Sequence, residues 1–230
     1  MSPLLSSLRG IIERTFDLDT GVGDISPFIV GDAGFARHYW GRPTVRSVGS
    51  GAAGAWADPI GARTLVRQEG GELKLAIYYP DRLIENLERN DPGRSLSAGN
   101  VDDFATLVEE LDHFLTIADR HRAGAEVSLL ELELHANVTK ELVLAFFVAR
   151  HRGAARLGSA EHAWIRHHLF GKVDYDEEDR AVRVRYRDAA ALAVRYLDHL
   201  RTMPLGERAA ELRRFHRRTH HQKLAGITRL

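Results

Sequence analysis

Glu109, Glu110 and His113 in "VEELDHFL", followed by Glu131, Glu133 and His135 in "ELELHAN", are side chains that bind divalent cations and exchange protons. Glu109 and His113 are four residues apart, so on a helix both reach one point in space, as metal ligands must. Glu131 and His135 repeat that spacing. If two antiparallel helices carry them, the set Glu109, His113, Glu131 and His135 offers nitrogen and oxygen ligands to zinc or another divalent metal. Glu110 stands beside it as a candidate proton acceptor and catalytic residue. Two blander arrangements use the same residues. Glu131 and His135 can hydrogen-bond each other or make crossed polar contacts, and Glu109, Glu110 and His113 can lie on a solvated face.

Cysteine is absent, which excludes disulfides, thiolate nucleophiles and cysteine-ligated zinc, and leaves His, Asp and Glu as ligands. It also fits a reducing compartment, and the expectation is a cytoplasmic protein. The most apolar run, "LVLAFFVA", is far too short to cross a bilayer. Lys+Arg and Asp+Glu are equal at 32 each, so no net field drives the molecule onto nucleic acid or a membrane. Nothing indicates an organic cofactor. "GVG" and "GSG" read as turns, because neither sits between a strand and a helix as a phosphate-binding loop requires.

The elements that would position the acids follow from periodicity. Leu5, Leu8, Ile11 and Ile12 predict an opening helix over Leu4 to Phe16. "PFIV" is a candidate strand, and "SVGSGAAGAWADPIGA" reads as a loop. Alternation around "EGG" in "ARTLVRQEGGELKLAIYYP" predicts a β-hairpin, and "DRLIENLERN" a short helix after it. Phe104, Leu107, Val108, Leu111, Leu115 and Ala118 form one stripe of a long helix that opens after Asn100. A second long helix runs from about Leu129 to Arg150. Although "LLELELH" alternates like a strand, Leu and Glu are helix formers and no breaker follows. On that helix Glu133 groups with Asn137, Lys140 and Glu141. Glu131 and His135 instead fall among Leu134, Val138, Leu142 and Phe146, so periodicity selects this second pair as inward-facing. Ser159 is the expected cap of a further helix, "DEEDRAVRVRYRD" fits a strand or a helix start, and the last segments read as helical.

A β-hairpin, a helix with "VEELDH" and a second helix with "ELHANVTKELV" resemble the zincin-like metallopeptidases of the ImmA/IrrE type, over about Ala62 to Arg150. In that family one helix carries HExxH and the next an ExxAN segment. The resemblance places Glu110 as the general base, His113 as the second histidine ligand, and Glu133, with Ala136 and Asn137, as the downstream glutamate. Glu109 stands where the family has its first histidine, a degenerate motif whose metal carries less net positive charge and whose hydrolysis is slow or absent. The resemblance thus selects Glu133, whereas periodicity selects Glu131 and His135.

Arg213, Arg214, Arg217, Arg218 and His221 make the C-terminal segment basic. It is a candidate phosphate-contacting surface or a solvated helix anchored by Leu212, Phe215 and Leu224, and the acidic "DYDEED" is a candidate counterweight. The expected fold class is α+β and predominantly helical, with a small N-terminal sheet and hairpin before a helical body. The expected division is 1–62, then 63–150 with the candidate site, then 151–230 with the basic tail. The function expected is a zincin-like, metal-binding domain. The alternative is a helical interaction or regulatory module that contacts nucleic acid or an acidic protein, with a protein or peptide partner and no membrane.

Overall fold

A computed structural model describes residues 2–39, 46–48, 61–172 and 180–230. The chain is predominantly helical with one small sheet, an α+β architecture. Helix α1 (Ser2–Phe16) is followed by the two-residue strand β1 (Ile29–Val30), so "PFIV" is half strand and half a 3-10 turn. Helix α2 (Asp32–His38) and strand β2 (Arg46–Val48) come next. The hairpin strands are β3 (Arg63–Glu69) and β4 (Glu72–Tyr78). Gly70 and Gly71, both at positive φ, make the tight turn between them, where a side chain would strain the backbone.

The sheet order is β1-β4-β3-β2, with β1 parallel to β4 and the other pairs antiparallel. Thr64 pairs with Ile77 and Leu65 with Ala76, and the pleat sends these pairs to opposite faces. Ile77 joins the main core, while Leu65, Ala76 and Tyr78 pack with Phe35 of α2. Both faces of the hairpin are therefore covered, and Thr64 points at the helices.

Those helices are α3 (Asp81–Arg89), α4 (Val101–Arg122), α5 (Leu129–Arg152), α6 (Ser159–Arg166), α7 (Arg180–Thr202), α8 (Leu205–Arg217) and α9 (His220–Thr228). The α4 and α5 helices run antiparallel, since Lys140 meets Glu109 near one end and Glu131 meets Arg120 near the other. Ser128 caps α5 by accepting from the Glu131 N–H, and left-handed Gly153 ends it. Gly158, rather than Ser159, occupies the capping position of α6, whose first residue is Ser159. From Arg180 onward the ambiguous segment is helix, and "DYDEED" lies outside the described residues, as does "GSG". The carbonyls of Val22 and Gly23, in "GVG", accept from the Arg9 guanidinium, a turn rather than a phosphate cradle.

The basic C-terminal segment is two helices broken at Arg218, not one. Thr219 and Gln222 form a reciprocal capping box that starts α9. One hydrophobic core draws on α1, the sheet, and α3 through α9, from Leu5 to Ile227. Its centre is α4, which is buried on every side from Leu107 to Ala118.

Candidate metal centre

The burial of α4 excludes the alternative in which Glu109, Glu110 and His113 lie on a solvated face. Glu109, Glu110 and His113 have relative exposures of 8%, 0% and 0%, and Glu133 of 2%. Four ionisable groups thus sit where an unpartnered charge is costly. Glu109, His113 and Glu133 bring one potential ligand atom each to within 4.8 Å of one another, the geometry of a group able to hold a metal ion.

The contacts divide this cluster into two sides of the His113 ring. Glu133 Oε2 lies 3.8 Å from Nε2, whereas Glu110 Oε2 lies 3.5 Å from Nδ1. Glu110 is held from the sheet: the Thr64 hydroxyl is 2.9 Å from its Oε2 and 3.0 Å from its backbone oxygen. Glu109 Oε2 accepts from Lys140 Nζ at 2.6 Å. Several atoms nevertheless lack a hydrogen-bond partner. They are both ring nitrogens of His113, Glu110 Oε1 and Glu133 Oε1, all buried.

Electrostatics follow from this crowding. Burial pushes Glu110 above the usual carboxylate range even with His113 and Thr64 opposing it, and pushes Glu133 up to about 7. Burial would also lift Glu109, but Lys140 and His113 outweigh it and hold that carboxyl below its ordinary value. Burial alone would lower His113, yet Glu110 and Glu133 on its two sides raise it to about 9. Without a metal, the ring is a buried imidazolium between carboxylates. Tyr186 of α7, on the helical stripe that includes Val182, Ala189 and Ala193, is also close enough to feel the cluster. Burial first, then Glu133 and Glu109, raise its phenol far above 10.

Glu131 and His135 do not join this group, which corrects the ligand set taken from periodicity. Both are inward-facing as expected, at 2% and 0% exposure, but they serve a separate network on the other flank of the α4–α5 seam. Positions 133 and 135 are about 200° apart around a helix, so one residue can face His113 only if the other faces away. Glu131 Oε1 accepts from Arg120 Nη2 at 3.0 Å and from Lys223 Nζ of α9. His135 Nδ1 donates to Asp112 at 2.8 Å, and Thr139 donates to the same carboxylate. The glutamate paired with His113 is the one that the family resemblance selected.

The second network reaches α8 through a residue that sequence reasoning missed. His216 Nε2 donates to Asp119 at 2.8 Å, and its Nδ1 faces His135 Nε2 at 3.2 Å. Burial and the neighbouring His135 push His216 down to about 4. Phe215 stacks on His135 and Tyr196 and closes the site from α8. No local spacing signals this pairing, because His216 and His135 are 81 residues apart.

The basic surface is partly neutralised within the chain. Arg214 and Arg218 bind Glu211, and Arg217 binds Asp17. No described helix is long and apolar enough to cross a membrane. Compared with known proteins, the chain matches no family model, no curated protein and no solved structure.

Proposed function

We propose that this chain is a zincin-like metal-binding domain in which Glu109, Glu133 and the Nε2 atom of His113 hold one divalent cation. The observation that carries this reading is the set of buried atoms without partners. An imidazole with neither nitrogen hydrogen-bonded, beside Glu133 with a free oxygen, is a costly arrangement for a purely structural cluster. A cation between them satisfies Nε2 and the Glu133 carboxylate, and leaves Nδ1 facing Glu110. One imidazole and two carboxylates suit zinc, manganese or iron(II), and three protein ligands leave a position open, as catalytic sites do.

A bound cation would supply Lewis acidity at that position. Because Glu109 brings a negative charge where the family has a neutral histidine, the acidity is weaker and peptide hydrolysis is slow. The test is elemental analysis and calorimetric titration of the untagged protein with zinc, manganese and iron(II). About one equivalent, lost in His113→Ala and in Glu133→Gln, is the expected result. No binding in the wild-type protein refutes the reading and leaves a buried ion cluster within an interaction module.

A further inference from the structure

The Glu110 carboxylate occupies a place that a proton-accepting base should not. Given that Glu133, the proposed ligand from α5, lies on the Nε2 side of His113, a base acting on a bound water belongs on that side too. Glu110 lies at Nδ1, across the ring. Its Oε2 is within hydrogen-bond distance of the Thr64 hydroxyl at 2.9 Å, and the same hydroxyl reaches the Glu110 carbonyl at 3.0 Å. Thr64 and Glu110 are both 0% exposed. The carboxylate is thereby tethered from β3, and swinging to the other side of the ring would break its contact with the Thr64 hydroxyl.

We infer that Glu110 is a positioning residue, with Thr64 behind it, whose task is to accept the Nδ1–H of His113 and turn Nε2 toward the cation. This rests on the metal reading above and assigns the role of a residue within that site. Metal-bound histidines almost always donate their other ring N–H to a carboxylate, carbonyl or water, which sets tautomer and ring orientation and raises ligand basicity. The 3.5 Å between Nδ1 and Oε2 is long for a hydrogen bond, and a cation at Nε2 would strengthen the contact by making the Nδ1–H a better donor. Read this way, "EELDH" is not a broken HExxH. Its first glutamate coordinates, its second orients, and its histidine coordinates through the far nitrogen.

The two roles for Glu110 make opposite demands on metal affinity. A general base touches the water and not the ligands, so its loss leaves binding of the cation intact. An orienting carboxylate acts through the ligand, and removing such a partner weakens binding roughly 10- to 100-fold. The experiment is titration of the wild type, Glu110→Leu, Glu110→Gln, Thr64→Val and Thr64→Ser with zinc, alongside nitrogen NMR of the histidine rings in the zinc-loaded proteins. Weakening is expected in Glu110→Leu, with a smaller effect in Glu110→Gln, whose amide oxygen still accepts. Thr64→Val should weaken binding and Thr64→Ser should restore it. The wild-type spectrum should show His113 protonated at Nδ1 and metallated at Nε2, with the Nδ1–H signal shifted in the Glu110 variants.

Zinc affinity within twofold of wild type in folded Glu110→Leu overturns the inference while leaving the metal site standing. If Glu110→Leu does not fold, the Thr64→Val and Thr64→Ser pair and the His113 tautomer decide the matter. Metallation at Nδ1 overturns it outright. Failure of wild-type protein to bind zinc, manganese or iron(II) overturns both this inference and the reading it rests on.

Discussion

Glu131→Gln separates the two buried networks. The substitution keeps the shape of the side chain and removes the single carboxylate shared by Arg120 and Lys223, whose relative exposures are 9% and 2%. Removing one partner of a buried ion pair generally costs about 3–5 kcal/mol. The two cations respond differently. Burial already pushes Lys223 down to about 8 with Glu131 opposing the shift, and without that carboxylate it falls further. Once its value drops below the working pH, the lysine folds uncharged. At pH 7 this escape limits its added cost to about the interval from 8 to 7, or roughly 1 kcal/mol.

Arg120 has no such escape, but it keeps contacts with the carbonyls of His216 and Arg218. The expected loss is therefore about 2–4 kcal/mol near pH 7, toward the lower part of the general range. The pH dependence has a definite sign. Between the folded value of about 8 and the ordinary 10.5, the unfolded chain binds a proton that the native lysine does not, so stability rises with pH in that window. Below it, the lysine of the wild-type protein adds no slope. In Glu131→Gln the lower edge moves down with the lysine, so the variant regains stability on the wild type as pH rises from 7 to 8. Urea unfolding followed by circular dichroism at both pH values measures this, and titration with zinc runs in parallel. A loss under about 1 kcal/mol, or metal affinity reduced as far as in His113→Ala, would refute the assignment of Glu131 to the Arg120–Lys223 network.

Two further outcomes are expected. Because His216 sits at about 4 in the folded state against 6.5 ordinarily, its contribution is intact above 6.5 and is lost as pH falls toward 4. In that window wild-type stability should drop more steeply than that of His216→Leu, by up to about 1 kcal/mol per pH unit, in denaturant titrations at matched ionic strength; parallel slopes would count against it. Asn100 is 2% exposed, donates to the carbonyls of Asn90 and Ser95 at 2.8 Å and accepts from the Ser97 N–H at 2.9 Å. Asn100→Ala should therefore cost about 2–3 kcal/mol at roughly 1 per bond. Hydrogen exchange across residues 91–99 should accelerate first, and unchanged protection there would show that the loop is held by something else.

Local signals carried most of the element assignments. The hairpin was legible because "EGG" interrupts alternating apolar residues, and α4 because its stripe from Phe104 to Ala118 has helical period. The break between α8 and α9 was missed, although Thr219 and Gln222 have the spacing of a capping box, because the basic residues run continuously across it. The "PFIV" strand proved shorter than read, since Ser26 to Phe28 turn before the chain joins β4.

For the site, the sequence alone determined which residues have metal-binding chemistry and that Glu109 and His113 share a helix face, because residue type and a spacing of four are local properties. Only the tertiary structure decided which glutamate of α5 meets them. Periodicity on α5 assumes one buried face, whereas residues 131–139 are buried all round by different neighbours. Glu133 therefore turns to His113, and Glu131 and His135 turn to Lys223 and His216. Those partners come from α8 and α9, more than 80 residues downstream, and their approach follows from the packing of Phe215 and Lys223 into the core and not from any pattern within α5.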